Sequence, residues 1–133
     1  MGTEIPESHR DLLSNEKQAF AYLATVMENG SPQLTPVWFD MAGDRIRINT
    51  ARGRVKERNL RERPDRIALL IVDPDDPYRY LQIRGHVAEV IEEGAEAHID
   101  ELASKYTGRL AFSSYSRTER VTFLIEPDSV DTH

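Results

Sequence analysis

Cysteine is absent from this chain of 133 residues, which removes disulfide frameworks, thiolate nucleophiles and Cys-ligated zinc or iron–sulfur centres. Long apolar runs are absent too. No stretch approaches the roughly 20 apolar residues of a membrane span. The start, Met1-Gly2-Thr3-Glu4, lacks the basic flank and apolar core of a signal peptide, so a cytoplasmic protein with no membrane partner is expected. Glycine is scarce, and only Gly53 falls in the most basic stretch, which leaves neither a dinucleotide fingerprint nor a P-loop. The four histidines, His9, His86, His98 and His133, are far apart without an HExxH neighbour, so each reads as structural or solvent-facing and no metal site is expected. No serine sits in a G-x-S-x-G elbow, and Ser113-Ser114-Tyr115-Ser116 reads as a polar loop. Asp73-Pro74-Asp75-Asp76-Pro77 lacks the spacing of a calcium loop and reads as a rigid acidic turn.

Hydrophobic residues make up 39% of the chain and charged residues 30%, a balance suited to one globular domain spanning 1–133. Its net charge of −6 is unevenly spread. Residues 45–66 carry nine cations against three anions, a local +6, and the remainder is −12. A basic island in an acidic chain points to a local anion site, whereas nucleic-acid binding needs a broader positive surface.

The pattern of residues reads mainly as strands. Pro6 to Leu13 suits a short helix. Ala19 to Met27 reads as a first strand ending in the hairpin signal Glu28-Asn29-Gly30-Ser31. Gln33 to Asp40 reads as a second, with Pro36 confined to an edge or bulge because it has no N–H for a ladder. Arg45 to Thr50 alternates strictly, with Ile46 and Ile48 on one face, and completes an expected three-stranded meander. Ala51 to Arg63 predicts a short surface helix with almost no apolar face, stopped by Pro64. Ile67 to Val72 predicts a strand buried on both sides, and Tyr78 to Glu92 a long strand bent at Gly85. Gly94 to Tyr106 predicts a helix with Ala95, Ile99, Leu102, Ala103 and Tyr106 on one face and Gly108 as its cap. Arg120 to Pro127 is the last expected strand. Six strands in hairpin order predict a small antiparallel barrel with peripheral helices, since rolling a sheet hides its edges.

Chemistry concentrates in Asn49-Thr50-Ala51-Arg52-Gly53-Arg54-Val55-Lys56-Glu57-Arg58-Asn59. Here a strand end delivers a hydroxyl and several cations to the start of a helix, where backbone N–H groups point outward and guanidinium forks match phosphate oxygens. At helical spacing Arg52, Lys56 and Asn59 converge on one side. The same residues also fit a solvated helix laced by Glu57, Arg58, Glu62 and Arg63, and spacing alone leaves both readings open.

The order of segments Leu23-Ala24-Thr25-Val26, Gln33-Leu34-Thr35-Pro36-Val37-Trp38-Phe39, Ile48 to Leu60, Asp73 to Leu81 and Ile83-Arg84-Gly85-His86-Val87 resembles the pyridoxamine 5′-phosphate oxidase-like proteins, in particular their F420-dependent oxidoreductase branch. The resemblance runs from about Ala19 through Val130. It implies a six-stranded antiparallel split β-barrel, a homodimer with two cofactor sites at the subunit interface, and coenzyme F420 as cofactor, with FMN as the alternative. By position, Thr50, Arg54 and Lys56 would hold the cofactor phosphate, with Asn49, Arg52 and Asn59 nearby. Gln33, Thr35, Pro36 and Val37 would flank the tricyclic ring. Trp38 and Phe39 fit either core or ring packing, and Tyr78, Arg79 and Tyr80 would come from the dimer interface.

The resemblance implies hydride transfer between F420 and a small unsaturated or imine-like substrate. No residue stands out as proton donor; Arg79, Tyr80 and water are the candidates. The chain ends at Asp131-Thr132-His133 without the Arg-and-Trp segment with which the oxidases take their substrate, so oxidation of a vitamin B6 phosphate is not the expected activity. An FMN-binding oxidoreductase and a non-catalytic F420 carrier are the competing readings.

Overall fold

A computed structural model of the chain describes residues 4–108 and 119–133; the predicted polar loop at Ser113–Ser116 lies outside them. A 3₁₀ helix at Glu7–Leu13 precedes seven strands, β1 Ala21–Val26, β2 Pro32–Val37, β3 Asp40–Ala42, β4 Arg45–Ala51, β5 Ile67–Asp73, β6 Asp76–Ile91 and β7 Arg120–Thr132. Helix α1, Val55–Glu62, joins β4 to β5, and helix α2, Ala95–Thr107, follows β6. All strand pairs are antiparallel, in the spatial order β2-β1-β5-β6-β7-β4-β3.

The two strands at the ends of that order, β2 and β3, are separated in the chain only by Trp38 and Phe39. Three Cα steps reach at most about 11 Å, so the sheet must roll until its two edges almost meet. The result is the expected mainly β, antiparallel split barrel, with a seam in place of full closure. Pro32 and Pro36 both sit on the β2 edge, where a missing N–H costs no ladder bond. Inside the roll lie Leu23, Phe39, Ile46, Ile48, Leu69, Ile71, Leu81, Ile83 and Phe123, all essentially inaccessible to solvent.

Several expectations need correction. The second expected strand divides at the seam, which raises the count from six to seven. The meander does not form: β4 leaves β2 and pairs with β3 and β7, because Ile46 and Ile48 find their cross-strand partners in Ile125 and Phe123. Strand β5 alternates buried and half-buried positions, so only one of its faces is core. The rigid acidic turn forms as expected, but β6 starts inside it, at Asp76 and not at Tyr78, since Asp73 and Asp76 already pair and leave two residues between them. Helix α1 starts only at Val55, after Gly53 takes a positive φ of 92°. It is no bare surface helix either, because Leu60, Glu57 and Asn59 are buried. The bend at Gly85 is present as a register shift between β6 and β7. A Cβ there would lie 2.5 Å from the Glu126 carbonyl oxygen, so only glycine lets the two strands approach.

Candidate functional site

Four elements meet at the seam. The end of β2 and the link after it bring Pro36, Val37 and Trp38, β4 brings Asn49, α1 brings Lys56, and α2 brings Ile99 and Leu102; together they line an open cavity of about 180 Å³. The seam is held from α2. The Tyr106 hydroxyl donates to the Ala19 carbonyl at 2.6 Å and accepts from the Phe39 N–H at 3.3 Å. Lys105 Nζ donates to the Phe39 carbonyl at 2.7 Å and lies 4.2 Å from the Phe39 ring centroid. Tyr106 stacks between Phe20 and Trp38, with centroids 5.2 and 5.4 Å away, which fixes one aromatic wall of the cavity. Burial pushes the Tyr106 phenol above its ordinary range and pulls the Lys105 ammonium down to about 8.

Positive charge gathers at the α1 end of this cavity. Burial lowers the pKa of Lys56, and the neighbouring charges of Arg54 and then Arg120 lower it further. Arg120 reaches this corner because β4 and β7 pair Ala51 with Arg120. Helix α1 has no side-chain cap on its first N–H groups, which leaves them directed at incoming negative charge. The carboxylate in its first turn, Glu57, is already committed: it accepts from the Gly53 N–H at 2.9 Å and pairs with Arg61.

Among the described residues three buried side-chain polar atoms lack a hydrogen-bond partner: Asn49 Oδ1, in a residue of the cavity wall, and Thr35 Oγ1 and Thr50 Oγ1 on β2 and β4. Orphaned buried polar groups cost stability unless something completes them. All three belong to residues expected to surround a cofactor. An unpartnered hydroxyl, exposed helix N–H groups and clustered cations suit a phosphate, while an apolar and aromatic wall suits a planar ring.

The expected site residues therefore separate into groups. Pro36, Val37, Asn49 and Lys56 line one cavity, Arg54 adds charge beside Lys56, and Thr35 and Thr50, with orphaned hydroxyls, lie outside its lining, Thr50 on the core face of β4. Gln33 faces inward and accepts from Thr25 Oγ1 at 3.1 Å. Asn59 is occupied: its Nδ2 donates to Thr25 at 3.0 Å, and its Oδ1 accepts from Arg63 at 2.9 Å. Arg52 pairs with Glu92 at 2.5 Å. Arg79 and Tyr80 do not line the cavity. Arg79 holds Asp11 and Asp73 and donates to the Ser8 carbonyl, and Tyr80 stacks on His133.

Spacing alone did not reveal Arg120, Ile99 or Leu102 as neighbours of this site. The two α2 residues were legible as an apolar face, but what they face was not. Arg120 lies more than 60 residues from Lys56, and only strand pairing unites them. Among the described residues no group of three or more His, Cys, Asp or Glu could hold a metal ion, and no helix is long and apolar enough to cross a membrane.

A rolled antiparallel sheet with an open seam defines a class of fold, and comparison with known proteins agrees with it. Residues 5–133 match the family model described as pyridoxamine 5′-phosphate oxidase; the chain belongs to this family. An F420 reductase of known structure is 32% identical with a TM-score of 0.84, over 96% of this chain and 98% of that one. The conserved hypothetical protein Rv2991 from Mycobacterium tuberculosis is 24% identical, with a TM-score of 0.73 over 97% and 84% of the two chains. HupZ from Group A Streptococcus, 21% identical with a TM-score of 0.67 over 97% and 94%, shares the fold. No curated protein matches the sequence.

Proposed function

We propose that this protein is an F420-dependent oxidoreductase that moves a hydride between coenzyme F420 and a small unsaturated or imine-like substrate, working as a homodimer. The observation that carries this reading is the Lys56 corner, where Lys56 lies half-buried against Arg54 and Arg120 with no carboxylate in ion-pair reach of Lys56 or Arg54 among the described residues. Like charges kept together at a cavity are relieved by a bound anion. The name of the 32% identical relative, an F420 reductase, favours F420 over FMN, which also carries a phosphate.

In this reading Lys56, Arg54 and Arg120 neutralise the phosphate, while the Thr50 hydroxyl and the first N–H groups of α1 donate to it. Val37 and Trp38 pack along the ring, Gln33 and Thr35 lie beside it on β2, and Ile99 and Leu102 keep water from the reacting face. When bound, the deazaflavin supplies two-electron hydride chemistry; the chain supplies position and dryness.

A cavity of about 180 Å³ encloses only part of a tricyclic ring, so a second copy would complete the wall. The outer face of β2, β1 and β5 offers the surface for it. Two cross-strand rows, Pro36-Tyr22-Leu70 and Leu34-Ala24-Ala68, are apolar from end to end, and Leu34 is 68% exposed. Arg79 and Tyr80 join the site only if that second copy brings them across.

Fluorescence titration and size-exclusion chromatography test the reading together. Tight binding of F420, weaker binding of FMN and a dimeric mass are expected. Equal indifference to both cofactors overturns it. Retained FMN would make the protein a flavin enzyme of the same fold. Tight F420 binding without reduction of enones, quinones or nitro compounds would make it a carrier.

A further inference from the structure

Behind the cavity, a buried chain of polar groups runs from Arg47 to Asn49. Arg47 donates to both oxygens of Asp40, at 2.9 Å from Nε and 2.7 Å from Nη2. Burial alone would raise the Asp40 carboxyl, but the bonds from Arg47 and then His98 outweigh it and hold the pKa at about 2, so the group remains an ionised acceptor. His98, only 2% exposed on α2, places Nε2 3.0 Å from Asp40 Oδ1. A carboxylate accepts only, so Nε2 carries the proton, and because the amide nitrogen that Asn49 turns to the Ala95 carbonyl can face Nδ1 only as a donor, Nδ1 keeps a lone pair. That lone pair faces the Thr122 hydroxyl at 3.1 Å and the Asn49 amide nitrogen at 3.2 Å.

Asn49 Nδ2 also donates to the Ala95 carbonyl at 2.8 Å. The amide nitrogen thus meets the Ala95 carbonyl and the His98 ring nitrogen, with the Thr122 hydroxyl at a longer 3.4 Å, and turning the amide over would press its oxygen against the first two. The orientation of Asn49 is therefore decided by His98 and Ala95 from behind. Its oxygen is the unpartnered end, in a residue that lines the cavity.

We propose that His98 and Asp40 are positioning residues that lock the Asn49 amide so that its oxygen accepts a hydrogen bond from a ring N–H of the bound cofactor. This inference rests on the deazaflavin or flavin reading of the cavity, and the ligand chemistry it selects is an imide, whose N–H lies between two carbonyls. A ligand with that nitrogen blocked leaves a buried acceptor unpaired, and such a mismatch discriminates more strongly than the mere loss of a contact.

The experiment compares the affinity of F420 with that of its N3-methyl analogue, in the wild type, Asn49→Ala and His98→Leu, with His98→Gln added in case the leucine variant folds poorly. Melting temperature is followed in parallel. The wild type should prefer the unmethylated ring by roughly tenfold or more. Asn49→Ala and the His98 variants should bind both ligands about equally, at the level of the methylated one. A His98 that served only packing would lower both affinities alike and preserve the preference. Preserved preference in both His98 variants, or no preference in the wild type, overturns the inference while leaving F420 binding intact. If F420 does not bind, FMN and N3-methyl-FMN decide: discrimination that vanishes in the variants upholds the Asn49 assignment against a failed cofactor reading, and no binding of either flavin overturns both.

Discussion

Arg79 with Lys17 and Lys56 with Arg54 are two gatherings of cations with opposite electrostatic histories. Arg79 donates to Asp11 and Asp73, Lys17 lies within reach of Asp73 and Asp75, and these carboxylates raise the pKa of both cations. Lys56 is pushed down instead, by burial and by cations of its own sign. The first cluster is complete as folded and ties the 3₁₀ helix to the β5–β6 turn. In the second, neither Lys56 nor Arg54 has a carboxylate within ion-pair reach among the described residues, and the proposed cofactor site rests on that difference. Counting arginines in the sequence does not tell the two apart. Counting the carboxylates around each one does.

The comparison breaks most readily at Lys56. Replacing Lys56 and Arg54 together by alanine should weaken F420 binding by at least about a hundredfold, at roughly 1.5–3 kcal/mol for each charge-assisted bond. The melting temperature should hold or rise, because like-charge repulsion is removed. Titration of the double variant alongside a thermal melt checks both halves.

Arg79→Met should do the reverse. It strips the partner from Asp73, so the melting temperature falls while cofactor affinity changes far less than in the Lys56 variant. An Arg79 variant that melted normally and lost the cofactor would place this arginine in a neighbouring copy's site and invert the comparison.

Acid sharpens it further. With Asp40 at about 2 against an ordinary 3.8, its contribution is fully present above about pH 4 and lost as the pH falls toward 2. About 2 kcal/mol of unfolding free energy should disappear across that window, and denaturant titrations at pH 5 and pH 2.5 would measure it. In Asp40→Asn the acid-side slope should flatten.

The smallest effect belongs to Lys105. Burial holds it at about 8, so below that pH the folded chain carries a charge it accommodates less well than the unfolded chain does. Stability attributable to this group therefore rises between pH 8 and about 10.5. Lys105→Met should melt slightly higher than the wild type at pH 7, offset in part by the lost bond to Phe39 and by solvent screening of a part-exposed group, and the gain should shrink toward pH 10.5.

Much of this was legible before any coordinates. Alternation at Ile46 and Ile48, the turn at Asn29-Gly30, the bend at Gly85 and the cap at Gly108 are local signals, and each appears where expected. Local signals do not say which strand lies beside which. The false meander arose because β2 and β4 are near in sequence, whereas β4 is paired by its side chains to β7, some 70 residues on. The candidate site divides in the same way. Thr50, Arg54 and Lys56 fall in one contiguous segment, so the proposed anion corner can be read from spacing, but Arg120 joins Lys56 only through sheet register. Asn59 and Arg52 looked equivalent to Lys56 by helical spacing, and they differ because Thr25, Arg63 and Glu92 happen to lie within reach.

The two-residue link between β2 and β3 also serves as a ruler. Its length sets the girth of the roll, since Trp38 and Phe39 alone must bridge from one margin of the sheet to the other. An inserted residue there would slip β3 by one position and turn Asp40 away from Arg47 and His98. Diversity in the width of the pocket must therefore be sought in α2 and in the residues facing it, while the hoop that carries them stays the same size.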